Sequence, residues 1–287
     1  TTPTTTPTTT PTTTPTTMPT TTPTTMPTTA PTTVPPGPCD VNPCQNAGMC
    51  EVTGATTFQC HCAPFYQGTT CSQDVTLTTP AFSGNSLIIL NSSLVPTSNT
   101  IRFRTSSPTG ILLYAADSLL SAQTFLALYV SNGVVSLQVG CTGTSPQEMT
   151  VQSSVTVNDF APYHEVQFSF STTESQILFR VDTEQPRLLT HECVSRLGSL
   201  ATPLYLGHRP SFSAANPAPP MLAIATLSGL QGCTIMAQFG TTPASLLSSY
   251  LPGTRNLLQC ADAPCTAETN SCLNGATCVA TGFGSQE

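Results

Sequence analysis

Thirteen cysteines fall along this chain in groups of six, four and three, and their spacing limits what it can fold into. The six are Cys39, Cys44, Cys50, Cys60, Cys62 and Cys71. The four are Cys141, Cys193, Cys233 and Cys260, spread through a stretch of short apolar runs. The three, Cys265, Cys272 and Cys278, start a second dense frame that the chain end cuts short. Frames of this kind belong to disulfides formed in an oxidising, extracellular compartment. The odd total follows from the unfinished third frame. Six cysteines alone admit fifteen pairings, and spacing does not choose among them.

Residues 1–38 repeat Pro-Thr-Thr-x with a period of four, with Pro at 3, 7, 11, 15, 19, 23, 27, 31 and 35. Proline at that density fixes φ and removes amide donors, which excludes helix and sheet. An extended polyproline chain rises about 3.1 Å per residue, so the segment reaches roughly 110 Å. Thr beside Pro reads as a mucin-type O-glycan acceptor. The segment is read as a glycosylated stalk in preference to a bare linker, without chemistry of its own.

All seven basic residues are Arg, and against 14 acidic residues they leave a net charge of −7. That argues against nucleic acid and offers no basic field for heparin-like polyanions. The acidic residues are too sparse for a mineral-binding sponge of Asp. No apolar run approaches the ~20 residues of a membrane span. No initiator Met or signal peptide is present. The chain opens inside a repeat and closes inside a cysteine frame. It is therefore expected to be an internal piece of a longer secreted or membrane-anchored protein, with any anchor in the missing parts.

In the first frame, Cys44-Gln-Asn-Ala-Gly-Met-Cys50 and Cys62-Ala-Pro-Phe-Tyr-Gln-Gly-Thr-Thr-Cys71 resemble an epidermal-growth-factor-like (EGF-like) module spanning 39–72. The resemblance implies Cys39–Cys50, Cys44–Cys60 and Cys62–Cys71 bonds. So small a module cannot fold on apolar burial alone. Cys60-His-Cys62 also reads as part of a zinc site, but the tight spacing and the adjoining stalk argue against it. Several functions of that family fail residue by residue. Pro35-Pro36-Gly37-Pro38 stands where calcium-binding members carry acidic and amide residues. Met49 occupies the O-fucose position, Val41 the O-glucose position and Gln67 the O-N-acetylglucosamine position. Residues 261–287, with Cys265-x6-Cys272-Leu-Asn-Gly-Ala-Thr-Cys278, resemble the first half of a second such module. Thr277 there matches the O-fucose position, a modification that needs the complete module of the parent protein.

From about residue 75 to Cys260 short apolar or alternating runs recur between polar turn signals: Ser86–Leu90, Thr100–Arg104, Gly110–Tyr114, Thr124–Val130, Val134–Val139, Glu165–Phe170, Gln176–Val181 and Leu204–Leu206. Ser131-Asn132-Gly133 is a hairpin signal. Many short strands without helical periodicity predict an all-β sandwich or barrel. The segments Ile101–Tyr114, Phe125–Leu137, Val157–Val166 (with Tyr163 where Trp is usual), Leu204–Gly207 and Gly229–Ile235 resemble, in order, the laminin G family. The resemblance implies a jelly-roll β-sandwich of 12 to 14 strands over 75–260. It also implies a Cys233–Cys260 bond, after which Cys141 and Cys193 remain and are expected to pair.

Laminin G domains bind partners through rim loops, often around a calcium ion. The first acidic ligand position of the family holds Thr124 here; Asp117 lies seven residues too early and Asn216 is a weak second ligand. Calcium is therefore disfavoured and no cofactor is expected. Arg102 and Arg104 read as two charges on one solvated strand face, and Arg209 stands alone. Leu119 and Leu120 read as core in preference to a contact surface. Asn91-Ser-Ser93 is an N-glycosylation sequon on an expected surface turn. Glu165 has no second acid two residues on, as paired-carboxylate hydrolases of related fold would place it. His191-Glu192-Cys193 lacks the second His of a zincin helix, and no Gly-x-Ser-x-Gly elbow occurs. An enzyme is not expected. The module order resembles crumbs-, Fat-, slit- and agrin-type arrays. It implies an extracellular adhesion or matrix protein that binds a protein or glycan through the laminin G-like rim. The alternative is a structural component of a secreted, mineralising matrix, because coral skeletal matrix proteins have a similar make-up.

Overall fold

Residues alternating apolar and polar at period two become two packed sheets in the computed structural model of the protein. It describes residues 36–118, 123–142, 147–160, 163–200, 203–211, 222–260, 280–282 and 285–286. The repeat 1–35, Leu119, Leu120, Asn216, the third cysteine group and Thr277 lie outside the described residues.

The small module consists of two hairpins, β1 (Met49–Val52) with β2 (Phe58–His61) and β3 (Tyr66–Gln67) with β4 (Gln73–Asp74). Its buried centre is sulfur: Cys44, Cys60, Cys62 and Cys71, with Cys50 and Tyr66 packed against them. Disulfides join Cys39–Cys50, Cys44–Cys60 and Cys62–Cys71, with Cα separations of 5.8, 5.6 and 5.2 Å. Each such link removes disorder from the unfolded chain, worth about 2–4 kcal/mol.

The sandwich strands are β5 (Pro80–Ser83), β6 (Ile88–Leu90), β7 (Asn99–Thr105), β8 (Gly110–Ala116), β9 (Thr124–Ser131), β10 (Val134–Cys141), β11 (Gln147–Thr156), β12 (His164–Ser171), β13 (Gln176–Val181), β14 (Arg187–Thr190), β15 (Leu204–Leu206), β16 (Gln231–Phe239), β17 (Thr242–Pro243) and β18 (Leu258–Gln259). One sheet runs β11-β10-β9-β8-β15-β6. The other runs β14-β13-β12-β7-β16-β5-β18, with β17 attached to β16. Along β12, His164, Val166, Phe168 and Phe170 are buried and the residues between them are half-buried. Phe82, Phe103, Phe179, Leu113, Leu128 and Leu137 from both sheets complete the core between them. The β9–β10 turn puts Asn132 and Gly133 at φ 52° and 78°, the left-handed pair that a two-residue hairpin of matching twist needs.

β8 is buried at every residue, and β9 at every residue except Ser131. One side faces the core. On the other, Ile111, Tyr114, Phe125, Ala127 and Tyr129 meet Leu222 and Ile224 of a segment that crosses the outer face of the sheet. That segment carries a 3-10 turn at Ala223–Ala225. Two side chains hold it down. Arg209 donates from Nε to the Ile224 carbonyl (3.0 Å) and from Nη2 to the Ala225 carbonyl (2.7 Å), and Gln138 Oε1 accepts from the Ala223 amide (2.9 Å). Gly207, after β15, has φ 78°, and a Cβ there would lie 2.0 Å from a ring carbon of Phe82, so no larger residue fits. Two further disulfides close the sandwich. Cys141–Cys193 ties β10 to a 3-10 helix at Glu192–Ser199, and Cys233–Cys260 ties β16 to the residue after β18.

The module and the sandwich belong to one unit, Gly37–Glu287. They join at Asn256, whose φ is 56°. Its amide donates to the Cys62 carbonyl (2.9 Å), its Oδ1 accepts from the Cys62 amide (2.9 Å), and its Nδ2 lies 2.9 Å from His61 Nδ1. Asn tolerates the left-handed region better than most residues, which explains its use at this corner. Asn256→Ala removes the side-chain bonds and strains the corner, and should cost about 1–3 kcal/mol in denaturant unfolding of the full chain. Asn256→Gly keeps the backbone conformation and should cost less. Backbone NMR relaxation should show residues 39–72 gaining independent motion in the Ala variant.

Candidate binding site

Rim loops of a sandwich carry side chains that core packing leaves available for partners. Here one stretch of rim is closed by its own hydrogen bonds. The Asp117 amide donates to the Thr124 carbonyl (3.0 Å), and Asp117 Oδ1 accepts from the Gln123 amide (2.8 Å). The Thr142 amide donates to the Gln123 carbonyl (2.6 Å), and Arg196 Nη1 donates to the Thr142 carbonyl (2.9 Å). Arg196 projects from the 3-10 helix that Cys141–Cys193 ties to β10, so the disulfide fixes a cation at this corner.

These residues do not fit a calcium ion, which takes six to eight hard oxygens. Thr124 is 2% exposed. The Asp117 carboxylate is committed to the Gln123 amide. Among the described residues no three of His, Cys, Asp and Glu are grouped to hold a metal.

The arginines are placed differently from the sequence reading. Arg102 does lie on a partly solvated face, its side chain 43% exposed and its Nε 3.5 Å from Glu165. Arg104, two residues on, is 5% exposed, which corrects its assignment to a solvated face. Its guanidinium lies 4.8 Å from the ring centre of Phe160 and 4.9 Å from that of Tyr163, and Nη2 reaches Cys260 Sγ at 3.2 Å. Aromatic faces and a disulfide replace water around the cation. Arg209 fastens the covering segment, as described above.

His164 is buried between two carboxylates, Nδ1 2.8 Å from Asp182 and Nε2 3.1 Å from Asp159. Asp182 Oδ1 also accepts from the Glu165 amide (2.8 Å). The arrangement resembles a catalytic relay, but no Ser or Cys nucleophile is among these partners. It anchors the turn around Asp159 to the end of β13. His191 accepts from the Cys193 amide through Nδ1 (3.3 Å) and so caps the 3-10 helix. Asn91 is exposed just after β6. Sequence reasoning missed the junction residues Arg255 and Asn256. The structure puts Asn256 at φ 56°, a region where Asn is enriched, but its partner at Cys62 leaves no trace in the neighbouring sequence.

Burial sets the titration of several groups. It pushes the Tyr114 phenol well above the usual tyrosine range, helped by the charge of Asp117. It lowers the His208 imidazole below its ordinary value; the charges of Arg209 and Arg255 act in the same direction, and a contact with the Arg209 carbonyl opposes them.

A laminin G domain model matches residues 103–238, and an EGF-like domain model matches residues 39–70. The chain is similar to protein eyes shut homolog of Macaca fascicularis, 33% identical over 141 residues, which are 44% of this chain and 4% of that protein. The homolog of Danio rerio is 26% identical over 273 residues, 84% of this chain and 9% of that protein. The basement membrane-specific heparan sulfate proteoglycan core protein of Mus musculus is 24% identical over 289 residues, 85% of this chain and 7% of that protein. The chain thus spans less than a tenth of the length of these relatives. Among solved structures, domains LG4-5 of the mouse laminin alpha1 chain superimpose with a TM-score of 0.51 at 18% identity. They cover 69% of this chain and 52% of that one, a likeness of fold.

Because the folded His208 binds its proton less readily than the unfolded residue, with its ordinary pKa of 6.5, unfolding takes up protons as pH falls through that value. The stability contributed by neutral His208 is present above pH 6.5 and is lost on acidification. Melting temperatures of the full chain, compared at pH 7.5 and at pH 5, should therefore fall less in His208→Asn than in the parent.

Proposed function

We propose that this chain, which carries an EGF-like domain and a laminin G domain, is a non-enzymatic extracellular adhesion and matrix segment. In this reading it takes a protein or glycan partner on the laminin G rim without calcium. Residues 1–38 act as a glycosylated stalk, 39–72 as the complete EGF-like module, 75–260 as the laminin G unit, and 261–287 as the start of another module. Asn91 carries an N-glycan, and Thr277 is an O-fucose acceptor in the parent protein.

The observation that carries the reading is the closed rim at Asp117, Gln123, Thr142 and Arg196. Its described residues hold one another, with the Arg196 guanidinium on the Thr142 carbonyl and the Asp117 carboxylate accepting from the Gln123 amide. Such a surface can recognise a partner by hydrogen bonds and shape without a bridging ion. The sheet faces are less suited to that role. The outer face of β8 and β9 is covered by Leu222 and Ile224, and part of the other sheet's outer face is filled by Arg104 with Phe160 and Tyr163. The relatives support a matrix setting, since one of them is a basement membrane proteoglycan core protein.

The test uses the full chain in adhesion to decellularised basement membrane, with and without chelator, beside Arg196→Ala and Asp117→Asn. Adhesion should persist in chelator and fall at least several-fold in both variants. The melting temperature should not rise on addition of millimolar calcium. A calcium-dependent rise, or adhesion abolished by chelator, would overturn the calcium-free rim.

A further inference from the structure

Arg255 lies at the junction of the two domains. Its backbone is fixed, donating to the Leu87 carbonyl (2.9 Å) and accepting from the Leu87 amide (3.1 Å). Its guanidinium forms no hydrogen bond and no ion pair with any described residue, and Nε is buried without an acceptor. Two other arginines have an unmatched Nε, but Arg102 pairs with Glu165 and Arg104 lies between aromatic rings. The Nη groups of Arg255 keep contact with solvent in a cleft of about 180 Å³. Met49, His61 and Pro64 line it from the EGF-like side, and Tyr250 and Leu251 from the laminin G side.

The Arg255 guanidinium is partly desolvated, and its Nε lacks the match that buried polar groups almost always have, while its Nη groups face the cleft. A guanidinium stays charged even where burial lowers its pKa, as it does for Arg255, so the cleft holds a fixed positive charge. The acceptor that suits its planar fork is a carboxylate, bound through two parallel N–H···O bonds. Glu51 is the nearby candidate within the chain. Its carboxylate is instead 2.5 Å from His61 Nε2 and 60% exposed.

We propose that this cleft receives the carboxylate of an Asp or Glu side chain from a partner protein. The walls favour a side chain over a sugar acid. Met49, Ala63, Pro64, Leu251 and Pro252 offer apolar surface to methylene groups. Thr254 Oγ1, one of the hydroxyls at the cleft, already accepts from the Ile89 amide (2.9 Å). The site is separate from the rim and stands or falls independently of it. Because both domains line it, an occupant would bridge them.

The test is a titration of the ¹⁵N-labelled full chain with capped Gly-Glu-Glu-Gly, observed at the Arg255 side-chain Nε–Hε resonance. The same chain is titrated with capped Gly-Gln-Gln-Gly and with glucuronate. A saturable shift is expected with the Glu peptide, at least tenfold weaker with the Gln peptide. Arg255→Lys keeps the charge but loses the fork; followed at the backbone amides of Leu251 and Thr254, which line the cleft and are read in the parent as well, it should weaken binding at least tenfold with an unchanged melting curve. If that variant does not fold, the Glu-against-Gln comparison on the parent decides. No saturable shift, equal binding of both peptides, or stronger binding of glucuronate would overturn the proposal. So would a Glu51→Gln variant whose free Arg255 Nε–Hε resonance moves opposite to the peptide-induced shift, since Glu51 would then already fill the cleft.

Discussion

Burial of both faces of the central strands governs much of this structure. β8 and β9 carry apolar or aromatic residues on the side away from the main core as well as towards it. Left open, that outer side would expose Tyr114, Phe125, Tyr129 and Tyr205 together, at a cost of about 1.5–3 kcal/mol for each large side chain returned to water. The segment through Leu222 and Ile224 removes that cost, but a short crossing segment pairs little of its own backbone. Arg209 and Gln138 supply the missing hydrogen bonds to its carbonyls and amide. Polar side chains that would otherwise face solvent become fasteners, and the outer side of β8 and β9 is covered.

The basic residues follow the same economy. The chain has seven Arg and no Lys. A guanidinium can satisfy carbonyls, stack on rings and pair with carboxylates in one plane, which a compact ammonium cannot do. Arg180 donates to Gln167 Oε1, Arg187 lies 3.8 Å from Glu184, and Arg196 and Arg209 hold carbonyls. Arg102 meets Glu165 and Arg104 lies between two aromatic rings. Six of the seven are thus committed within the fold. Arg255 is the exception, and its exceptional state sets it apart from an ordinary surface charge.

The fold class was legible because strand signals are local. The runs at Gln176–Val181 and Leu204–Leu206 are strands with those bounds, and Asn132-Gly133 forms the expected hairpin. The strands that local sequence does not signal are hidden for physical reasons. β11 reads Gln-Glu-Met-Thr-Val-Gln-Ser-Ser-Val-Thr, polar because it is the edge of its sheet, and β14 has four residues, also at an edge. The 3-10 helix at Glu192–Ser199 is short, and its one covalent tie reaches back to Cys141. Binding residues were less legible. An Arg in a sequence looks solvated, and only tertiary neighbours reveal otherwise: Arg104 meets Cys260 across 156 positions. Asn256 meets Cys62 across 194, which no local pattern announces.

The junction turns these long-range pairings into a mechanical property. Asn256 meets Cys62 through two hydrogen bonds, so the last cystine of the EGF-like domain, Cys62–Cys71, is held against the laminin G edge by backbone-scale geometry. The Val75 amide, which donates to the Phe65 carbonyl (2.8 Å), folds the connecting chain back, and Phe65 packs on the main core. The cleft beside Arg255 exists only while this corner holds, because its walls come from both domains. Binding there and rigidity of the corner are then linked reciprocally: whatever prefers the closed junction stabilises it, and whatever stabilises it raises affinity. A lone cation, costly when unpaired, is in this sense the element through which a partner could set the angle between the two domains.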